Sequence, residues 1–342
     1  MQQLSASAPA KLIFLGEYAV LEGAPALVAA IDCRARVTLL KNSEPNWRLS
    51  APELGIRELG LGPDGQLPET LDNVTRESLA LFDAVRLTVA EHAPKPPPLS
   101  IHIDTAQFYD NGRKLGLGSS AAVAVALTTA LAAATGEMPE RETLFTLASA
   151  AHRWAQGGIG SNTDIAAAVY GGVLGYRSGQ APVAVTLPPN LWLQPVLLNR
   201  SASTPSLVAQ VLRLKKDSPT QFKAVMKPLL EAAEQGYSAF KTQNEETFLH
   251  TLSYYQVLLR RLGEATGADI ISAPHRGLQS AARLAGLYYK SCGAGGGDVG
   301  LMAAAWKDQN HEDLARRIAL SQGHSLLEAS LGATGVAIEY AR

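Results

Sequence analysis

The segment Lys114-Leu115-Gly116-Leu117-Gly118-Ser119-Ser120-Ala121-Ala122 decides the fold of this chain, because its two glycines lead directly into an apolar stretch that predicts a helix over Ser119–Thr135. Glycine lets the backbone approach a ligand closely, and the first N–H groups of a helix point outward at its positive end. Phosphate groups bind at such helix starts. The segment therefore predicts a phosphate-binding loop, with a serine-capped helix start as the structural alternative.

Two familiar phosphate-binding patterns can be compared with this loop. The Walker A pattern needs a Lys directly after its last glycine, and the loop has none there, which excludes a P-loop nucleotide hydrolase. Residues 116–121 do fit the dinucleotide pattern G-x-G-x-x-G/A, with Glu137 at a suitable distance for a ribose contact. That acid, however, leads into a helix predicted from Pro139 instead of ending a strand, so dinucleotide binding is disfavoured.

Length and composition narrow the class of protein. The 342 residues correspond to about two domains. With 30 Lys and Arg against 31 Asp and Glu, the formal net charge of -1 disfavours a nucleic-acid partner held by bulk electrostatics. Hydrophobic residues at 46% and charged residues at 18% exclude a disordered chain. Cys33 and Cys292 are too few for a disulfide framework or a four-thiolate metal site, which fits a reducing compartment.

The sequence predicts a cytoplasmic protein without a membrane partner. The N-terminal residues show no charged segment followed by an apolar one, so no signal peptide is expected. The longest apolar stretch, Ala121–Ala134, is interrupted by Thr128 and Thr129 and is shorter than the roughly 20 residues that span a bilayer. It is predicted as a buried helix.

Apolar periodicity and turn residues predict a mixture of strands and helices. Strands are predicted over 12–15, 26–31, 36–40, 99–104, 173–176, 183–187, 193–198, 287–290, 299–303 and 335–340. Helices are predicted over 70–92, 119–135, 161–170, 275–285 and 311–322, with another from 139 to a glycine cluster at 157–160 and mostly helical structure over 205–267. A loop rich in Gly and Pro is expected over 50–68. This order lacks strict βαβ units and predicts an α+β fold, with domains 1–190 and 191–342.

Three further segments carry residues suited to chemistry. Residues 293–298, Gly-Ala-Gly-Gly-Gly-Asp, join two predicted strands, and close approach to a ligand explains four glycines better than a hairpin does. Residues 160–164, Gly-Ser-Asn-Thr-Asp, start a short helix, where Ser161 and Asp164 also fit an S-x-x-D cap. In Pro9-Ala10-Lys11-Leu12 a single Lys precedes an apolar strand, a place where lysine is usually solvated.

Taken together and in this order, the segments resemble the GHMP kinase family, whose members are ATP-dependent kinases of small molecules. The first family motif resembles 8–20, the phosphate loop resembles 115–122 and the C-terminal motif resembles 293–298, so the resemblance spans nearly the whole chain. Within the family, the chain is most similar to phosphomevalonate kinases, at 16–20, 155–157, 160–164, 201–204 and 293–298.

The resemblance implies a two-domain fold with the active site in the cleft between an N-terminal α/β domain and a C-terminal α+β domain. It implies ATP as the phosphate donor, held at Gly116, Leu117, Gly118, Ser119, Ser120 and Ala121, with Mg²⁺ on Ser120. Lys11 and Asp164 are implied as the catalytic residues beside the transferred phosphoryl group. The implied reaction converts 5-phosphomevalonate and ATP to 5-diphosphomevalonate and ADP, in the mevalonate route to isoprenoids.

The chain departs from the family pattern in two places. The first motif usually has Gly where this chain has Ala10. Mevalonate kinases carry a Mg²⁺-binding glutamate on the helix before the catalytic aspartate, whereas residues 148–163 contain no acid, which counts against mevalonate kinase and leaves the second protein ligand of the metal open. Two alternatives remain. One is a GHMP kinase that acts on a hydroxyl, such as mevalonate kinase, and the other is a non-catalytic GHMP-like ligand sensor.

A phosphate acceptor changes what the catalytic residues must do. Its second pKa is about 6, so it is mostly dianionic at neutral pH and hardly requires an Asp, with a pKa of about 3.9, as a base. We therefore expect Lys11 to screen the repulsion between the acceptor and ATP, and Asp164 mainly to orient Lys11.

An acceptor phosphate also needs cations, and five basic residues stand in or beside the motifs: Arg113, Lys114, His152, Arg153 and Arg200. The residues predicted to bind the substrate are Lys114, Arg153, Ser161, Arg200, Ser201, Ser203, Gly293, Ala294, Gly295 and Gly296. The partners expected are thus ATP and 5-phosphomevalonate, with the chain as a monomer or homodimer.

Overall fold

A computed structural model describes residues 3–158, 160–200, 204–306 and 309–341. The strands in these ranges are β1 Gln3–Leu15, β2 Ala26–Lys41, β3 Arg48–Ala51, β4 Ile56–Gly60, β5 Leu99–Asp104, β6 Tyr109–Asp110, β7 Arg113–Lys114, β8 Val173–Tyr176, β9 Val183–Ala184, β10 Trp192–Leu197, β11 Tyr288–Ser291, β12 Val299–Ala304, β13 Ser325–Leu326 and β14 Ala337–Ala341. The helices are α1 Asn73–Ser78, α2 Ala80–His92, α3 Ser119–Ala134, α4 Arg141–Ala155, α5 Thr163–Tyr170, α6 Thr204–Asp217, α7 Pro219–Lys241, α8 Glu245–Thr266, α9 Ala273–Leu284 and α10 Gln309–Ser321. Short 3-10 helices lie at Ala19–Glu22, Pro52–Leu54 and Ala106–Phe108.

Two larger sheets organise the molecule. The first has eight strands in the order β14-β1-β2-β5-β3-β4, with β8 paired to β2 and β9 to β8. Its pairs are antiparallel except for β3 with β5, which run parallel. The second sheet has four antiparallel strands in the order β11-β12-β10-β13. The fold is therefore a mixed α+β fold, as the element order predicted.

Helix α3 lies in the centre of the first half of the molecule. It packs against β1, β2, α2, α4 and α5, and nearly all its side chains are buried. A helix that is apolar on all sides must be enclosed, and its alanines let the neighbouring elements approach closely. This packing fixes the N-terminal end of α3, where the predicted phosphate loop enters the helix.

The long pair of strands β1 and β2 carries one irregularity close to the first predicted motif. Pro9 pairs with Arg34 and Ala10 with Ile31, so two residues of β2 have no partner on β1 at this point. Proline has no N–H to give to a ladder, which suits it to such a bulge. Strand β1 is re-aimed here, directly before Lys11.

The predicted elements are largely present, with differences at turns. The predicted strand 173–176 coincides with β8, and the helical region over 205–267 consists of α6, α7 and α8. The helix predicted over 70–92 is instead two helices, α1 and α2, which are separated at Leu79. Asp72 is the N-cap residue of α1 and accepts a hydrogen bond from Thr75 N–H. The expected loop over 50–68 contains β4, and the strand predicted over 183–187 is reduced to β9.

The chain returns to its first sheet near its C-terminal end. Strand β14 pairs with β1, and the guanidinium of Arg34 donates to the carbonyl oxygens of Thr334 and Gly335 at 2.9 and 2.8 Å. A domain division at residue 190 remains a prediction, and β14 joins the sheet that contains β1 although it follows that residue. Of the helices described, none has both the length and the apolar character needed to span a membrane.

Candidate active site

A cavity of about 470 Å³ lies where the three predicted motifs meet. The first motif contributes the strand β1 residue Lys11 and the residues that follow the strand. The phosphate loop, defined as residues 115–122, forms a second wall, and the C-terminal glycine loop, defined as residues 293–298, forms a third. The residues that line the cavity are Lys11, Ile13, Glu17, Tyr18, Val20, Leu21, Lys114, Gly116, Gly118, Ser119, Ser120, His152, Gln156, Gly160, Ser161, Thr163, Asp164, Thr204, Pro205, Val208, Gly293, Ala294 and Asp298.

The phosphate loop depends on two glycines in the left-handed region. Gly116 has a φ of 70° and Gly118 a φ of 82°, which other residues adopt only with strain. The N–H of Lys11 donates to the carbonyl of Leu117 at 3.0 Å, so the loop is bonded to β1. A Cβ at Gly118 would lie 3.2 Å from Cγ and Cε of Lys11. Glycine at this position therefore lets the lysine side chain lie along the loop.

The start of α3 has open hydrogen-bond donors. Gly118 is the N-cap residue and supplies no side-chain bond, so the alternative of a serine-capped helix start is wrong. Within the described ranges, no acceptor bonds to the N–H groups of Ser119, Ser120 and Ala121, whereas Ala122 N–H already donates to Gly118. Three free donors at the positive end of a long helix, next to a lysine, are suited to bind phosphate oxygens.

Lys11 and Asp164 line the same cavity, and both are partly exposed. Asp164 stands in the first turn of α5 and accepts a hydrogen bond from Ile165 N–H at 3.0 Å. The alternative S-x-x-D cap is not formed, because Asn162 is the N-cap residue and the Ser161 hydroxyl lies 2.6 Å from that of Thr163. Among the ion pairs of the described residues there is none between Lys11 and Asp164, and the Lys11 side chain packs along Gly118.

A buried histidine, His152, lines the cavity and contacts the phosphate loop. The sequence predicts His152 only as a candidate cation for the acceptor and does not indicate this contact. His152, 3% exposed, places Nε2 at 3.1 Å from Ser120 Oγ and at 3.0 Å from Gln156 Nε2. A ring nitrogen carries either one N–H or one lone pair, so the direction of these two contacts depends on the tautomer of His152. The Ser120 hydroxyl has two lone pairs, and at least one of them is left for a ligand in either tautomer. The only sequence signal is the spacing of His152 and Gln156, four residues apart on one face of α4.

The first motif is joined directly to the C-terminal glycine loop. The Tyr18 hydroxyl donates to the carbonyl of Ala294 at 2.6 Å, although Tyr18 has a φ of 61°. Burial raises the pKa of this phenol, which therefore remains a donor. Behind Tyr18, Glu17 forms a buried ion pair with Lys290.

Packing within the protein explains two of the four glycines in the C-terminal glycine loop. A Cβ at Gly295 would lie 2.2 Å from the carbonyl oxygen of Ile270, and one at Gly297 would lie 2.4 Å from that of Arg200. The expectation that these glycines approach a ligand is therefore corrected for both positions. Gly293 is different, because a Cβ there would meet nothing within 4 Å and the residue lines the cavity.

The residues predicted to bind the substrate divide into three groups. Lys114, Ser161, Gly293 and Ala294 line the cavity. Four others do not: Arg153 is exposed on α4, Arg200 pairs with Asp269 at 2.8 Å, and Gly295 and Gly296 are buried against Ile270. Arg113, a further candidate cation for the acceptor phosphate, lies outside the cavity and donates to the Asn199 side chain at 2.9 Å. Ser201 and Ser203 lie outside the described residues.

The cavity suits a nucleotide that brings its own metal ion. The loop glycines and the free N–H groups of α3 fit phosphate oxygens. Ser120 and Asp164 offer the oxygen ligands that Mg²⁺ prefers. No group of three or more His, Cys, Asp or Glu side chains able to hold a metal occurs within the described part of the chain. Phosphate oxygens would therefore have to complete the coordination of a bound Mg²⁺.

Comparison with known proteins identifies similar chains. The family model described as the N-terminal domain of the GHMP kinases matches residues 79–172, which contain the phosphate loop and Asp164. The phosphomevalonate kinase of Streptomyces sp. (strain CL190) is 28% identical, over 89% of this chain and 91% of its own length. The mevalonate kinase of Thermococcus sibiricus is 30% identical, over 92% of each chain.

A solved structure has the same fold at low sequence identity. The phosphomevalonate kinase of Streptococcus pneumoniae, in complex with phosphomevalonate and AMPPNP, matches with a TM-score of 0.79. It is 20% identical, and the match covers 96% of this chain and 99% of that one.

Proposed function

The chain belongs to the GHMP kinase family, and from that premise we propose that it transfers the γ-phosphoryl group of ATP to 5-phosphomevalonate, giving 5-diphosphomevalonate and ADP. The three motifs predicted this family, and the comparisons confirm it. Relatives named phosphomevalonate kinase and mevalonate kinase are both found, so the choice of acceptor rests on the cavity itself.

One contact supports the phosphate acceptor over the hydroxyl acceptor. The group bonded to the Ser120 hydroxyl is the imidazole of His152, and residues 148–163 supply no carboxylate at this place. An imidazole carries no negative charge, so the site has one negative charge fewer than it would with a carboxylate here, which favours an acceptor that brings two negative charges of its own. Lys114 lines the same cavity and adds a cation.

The residues of the chain then have separate tasks in the transfer. The dianionic acceptor attacks without a base, so the protein mainly positions the groups and reduces their repulsion. We assign Lys11 to the transferred phosphoryl group, and the N–H groups of Ser119, Ser120 and Ala121 to the phosphates of ATP. Ser120, with Asp164, would hold Mg²⁺, which supplies positive charge to the phosphate oxygens.

A coupled assay of ADP release, with 5-phosphomevalonate and mevalonate compared side by side, tests this function. We expect kcat/KM for 5-phosphomevalonate to exceed that for mevalonate by about a hundredfold or more, since a charged group that a site is built to pair gives large discrimination. His152→Glu should reduce turnover of 5-phosphomevalonate, with His152→Gln as the matched uncharged control.

The other outcomes point to the two alternatives. A preference for mevalonate would make the chain a hydroxyl-specific GHMP kinase, the function of the Thermococcus relative. Binding of nucleotide without ADP release from either acceptor would instead make it a ligand sensor.

A further inference from the structure

Three charged residues, Glu17, Lys290 and Lys11, interact near the junction of the first motif and the C-terminal glycine loop. Glu17 and Lys290 form an ion pair whose side chains are 2% and 0% exposed. Lys290 Nζ also donates to the carbonyl of Ser291 at 2.6 Å and lies over the Tyr255 ring, 5.7 Å from its centroid. Tyr255 in turn donates to the backbone carbonyl of Glu17 at 2.8 Å. The pair is thus held from both sides by buried groups.

The third charge is that of Lys11. Burial raises the pKa of the Glu17 carboxyl, and the charges of Lys290 and Lys11 both oppose that rise. The fully buried Cys292 thiol, whose pKa burial raises to about 12, is also acted on by all three charges, Lys290, Glu17 and Lys11. Glu17 and Lys11 line the same cavity. The charges of two lysines therefore act on the Glu17 carboxylate.

Only one oxygen of the Glu17 carboxylate has a hydrogen-bond partner in the described ranges. Oε1 accepts from Lys290, while Oε2 is buried and has no hydrogen-bond partner in the described ranges. Lys11 makes no ion pair with any described residue, although Glu17 is its neighbour. A buried ion pair is costly to desolvate and often adds nothing to stability, so this arrangement calls for another explanation.

We propose that Lys290 is a positioning residue that holds Glu17 and so keeps the ammonium of Lys11 available to the phosphoryl group in the cavity. Without Lys290, Lys11 would be the remaining cation that keeps the buried carboxyl ionised, because an uncompensated buried charge is strongly destabilising. Lys11 would then be drawn towards Glu17 and away from the ligand. The inference rests on the role proposed for Lys11 in phosphoryl transfer.

The reactivity of Lys11 in the enzyme without ligands tests this arrangement directly. Pulse labelling with acetic anhydride, read by peptide mass spectrometry, reports how readily Lys11 gives up its proton. In Lys290→Met we expect labelling of Lys11 to slow about tenfold, because a carboxylate-paired ammonium releases its proton less readily. In the same variant kcat should fall about a hundredfold.

The double variant Glu17→Gln/Lys290→Met separates positioning from structural damage. It replaces the ion pair by neutral groups of similar size, an exchange that proteins often tolerate. Labelling and kcat should both return to within about threefold of the wild type, as the competing carboxylate is gone. Arg177→Met serves as the control, since it removes a cation from the pair with Glu234 outside the cavity.

Unchanged labelling in Lys290→Met, or a double variant as slow as the single one, would overturn the proposal. Should Lys290→Met fail to fold, the test passes to Glu17→Gln and the double variant. Both lack the acid, so both must label Lys11 at the wild-type rate, and slower labelling in either rejects the idea. Labelling needs no substrate, so failure to turn over 5-phosphomevalonate would reject the proposed function while leaving this result standing.

Discussion

The cavity has two loops rich in glycine, and they use glycine for different ends. In the C-terminal glycine loop the backbone is bonded to the protein: Gly296 N–H donates to Ile270, and the carbonyls of Ala294 and Gly297 lie within bonding distance of the Tyr18 hydroxyl and the His275 ring. In the phosphate loop the N–H groups of Ser119, Ser120 and Ala121 have no hydrogen-bond acceptor in the described ranges. The C-terminal glycine loop is thus a fixed wall of the cavity, and the phosphate loop is a binding surface. Both are glycine clusters in the sequence.

The largest expected effect concerns the charge beside the phosphate loop. Lys11→Met should lower kcat by about a thousandfold, because a cation at a transferred phosphoryl group is worth that much. Asp164→Asn should lower kcat less, since a dianionic acceptor needs no base. Steady-state kinetics with saturating ATP measures both, and Lys114→Met, another cation of the cavity, is the control, expected to raise KM for the acceptor.

The relative effects of the two substitutions decide the role of Asp164. If Asp164→Asn proves at least as damaging as Lys11→Met, Asp164 acts as a base and a hydroxyl acceptor becomes the better assignment. No ion pair between Lys11 and Asp164 occurs among the described residues, so the orienting role expected for Asp164 stays a prediction.

Alanine substitutions at two glycines of the C-terminal glycine loop should lower the free energy of unfolding by different amounts. Gly295→Ala places a methyl against the Ile270 carbonyl and should reduce the free energy of unfolding by about 4 kcal/mol. Gly293→Ala, at a similar φ but with open space around it, should cost about 1 kcal/mol. Urea unfolding compares the two, and equal losses would mean that packing does not explain the glycine at 295.

The anchor of the same loop should make stability depend on pH. Burial lowers the pKa of His275 to about 4, so the folded protein holds this ring neutral while the unfolded chain binds a proton below about 6.5. The free energy of unfolding should therefore fall as pH drops from 6.5 to 4, by about 3 kcal/mol, and be unaffected above 6.5.

His275→Asn isolates this contribution when urea unfolding of variant and wild type is compared across that range. The difference between them should change with pH, while the variant itself keeps a smaller pH dependence from His324, whose pKa burial also lowers. A difference that is constant from pH 4 to 7 would show that His275 does not titrate with folding.

The smallest expected effect concerns the hydrogen bond between the first motif and the C-terminal glycine loop. Tyr18→Phe removes the hydroxyl bonded to Ala294 and should cost about 1 kcal/mol of stability, the value of one hydrogen bond. Thermal unfolding measures this, with Tyr254→Phe as the control because Tyr254 is 47% exposed. A loss no larger than that of the control would remove Tyr18 from the list of contacts that fix the loop.

The sequence predicts local features of this fold well, since they depend on neighbouring residues. The helix α3 and the strand β8 follow from apolar runs and their glycine boundaries. The strand β4 was missed because charged residues interrupt its pattern, and the break at Leu79 was missed because apolar spacing continues across it. The family resemblance supplied what periodicity does not, namely that the three motifs meet.

The candidate site could be predicted in part, for the same reason. Lys11, Ser120 and Asp164 belong to motifs and do line the cavity, and their catalytic roles remain predictions. The contact of His152 with Ser120 and the pairing of Glu17 with Lys290 join residues far apart in the chain, and no local pattern links them. Arg153 and Arg200 were selected by proximity in sequence, which does not determine where a long side chain points.

The pairing of β14 with β1 has a consequence for how the protein is made on the ribosome. Strand β1 emerges early and finds β2 at once, but its other edge is completed by residues that follow all the helices in the chain. An unpaired edge in a nascent chain is a template for mispairing with another molecule. During synthesis of this protein, one edge of the strand that carries Lys11 therefore lacks its partner until residues 337–341 have been translated.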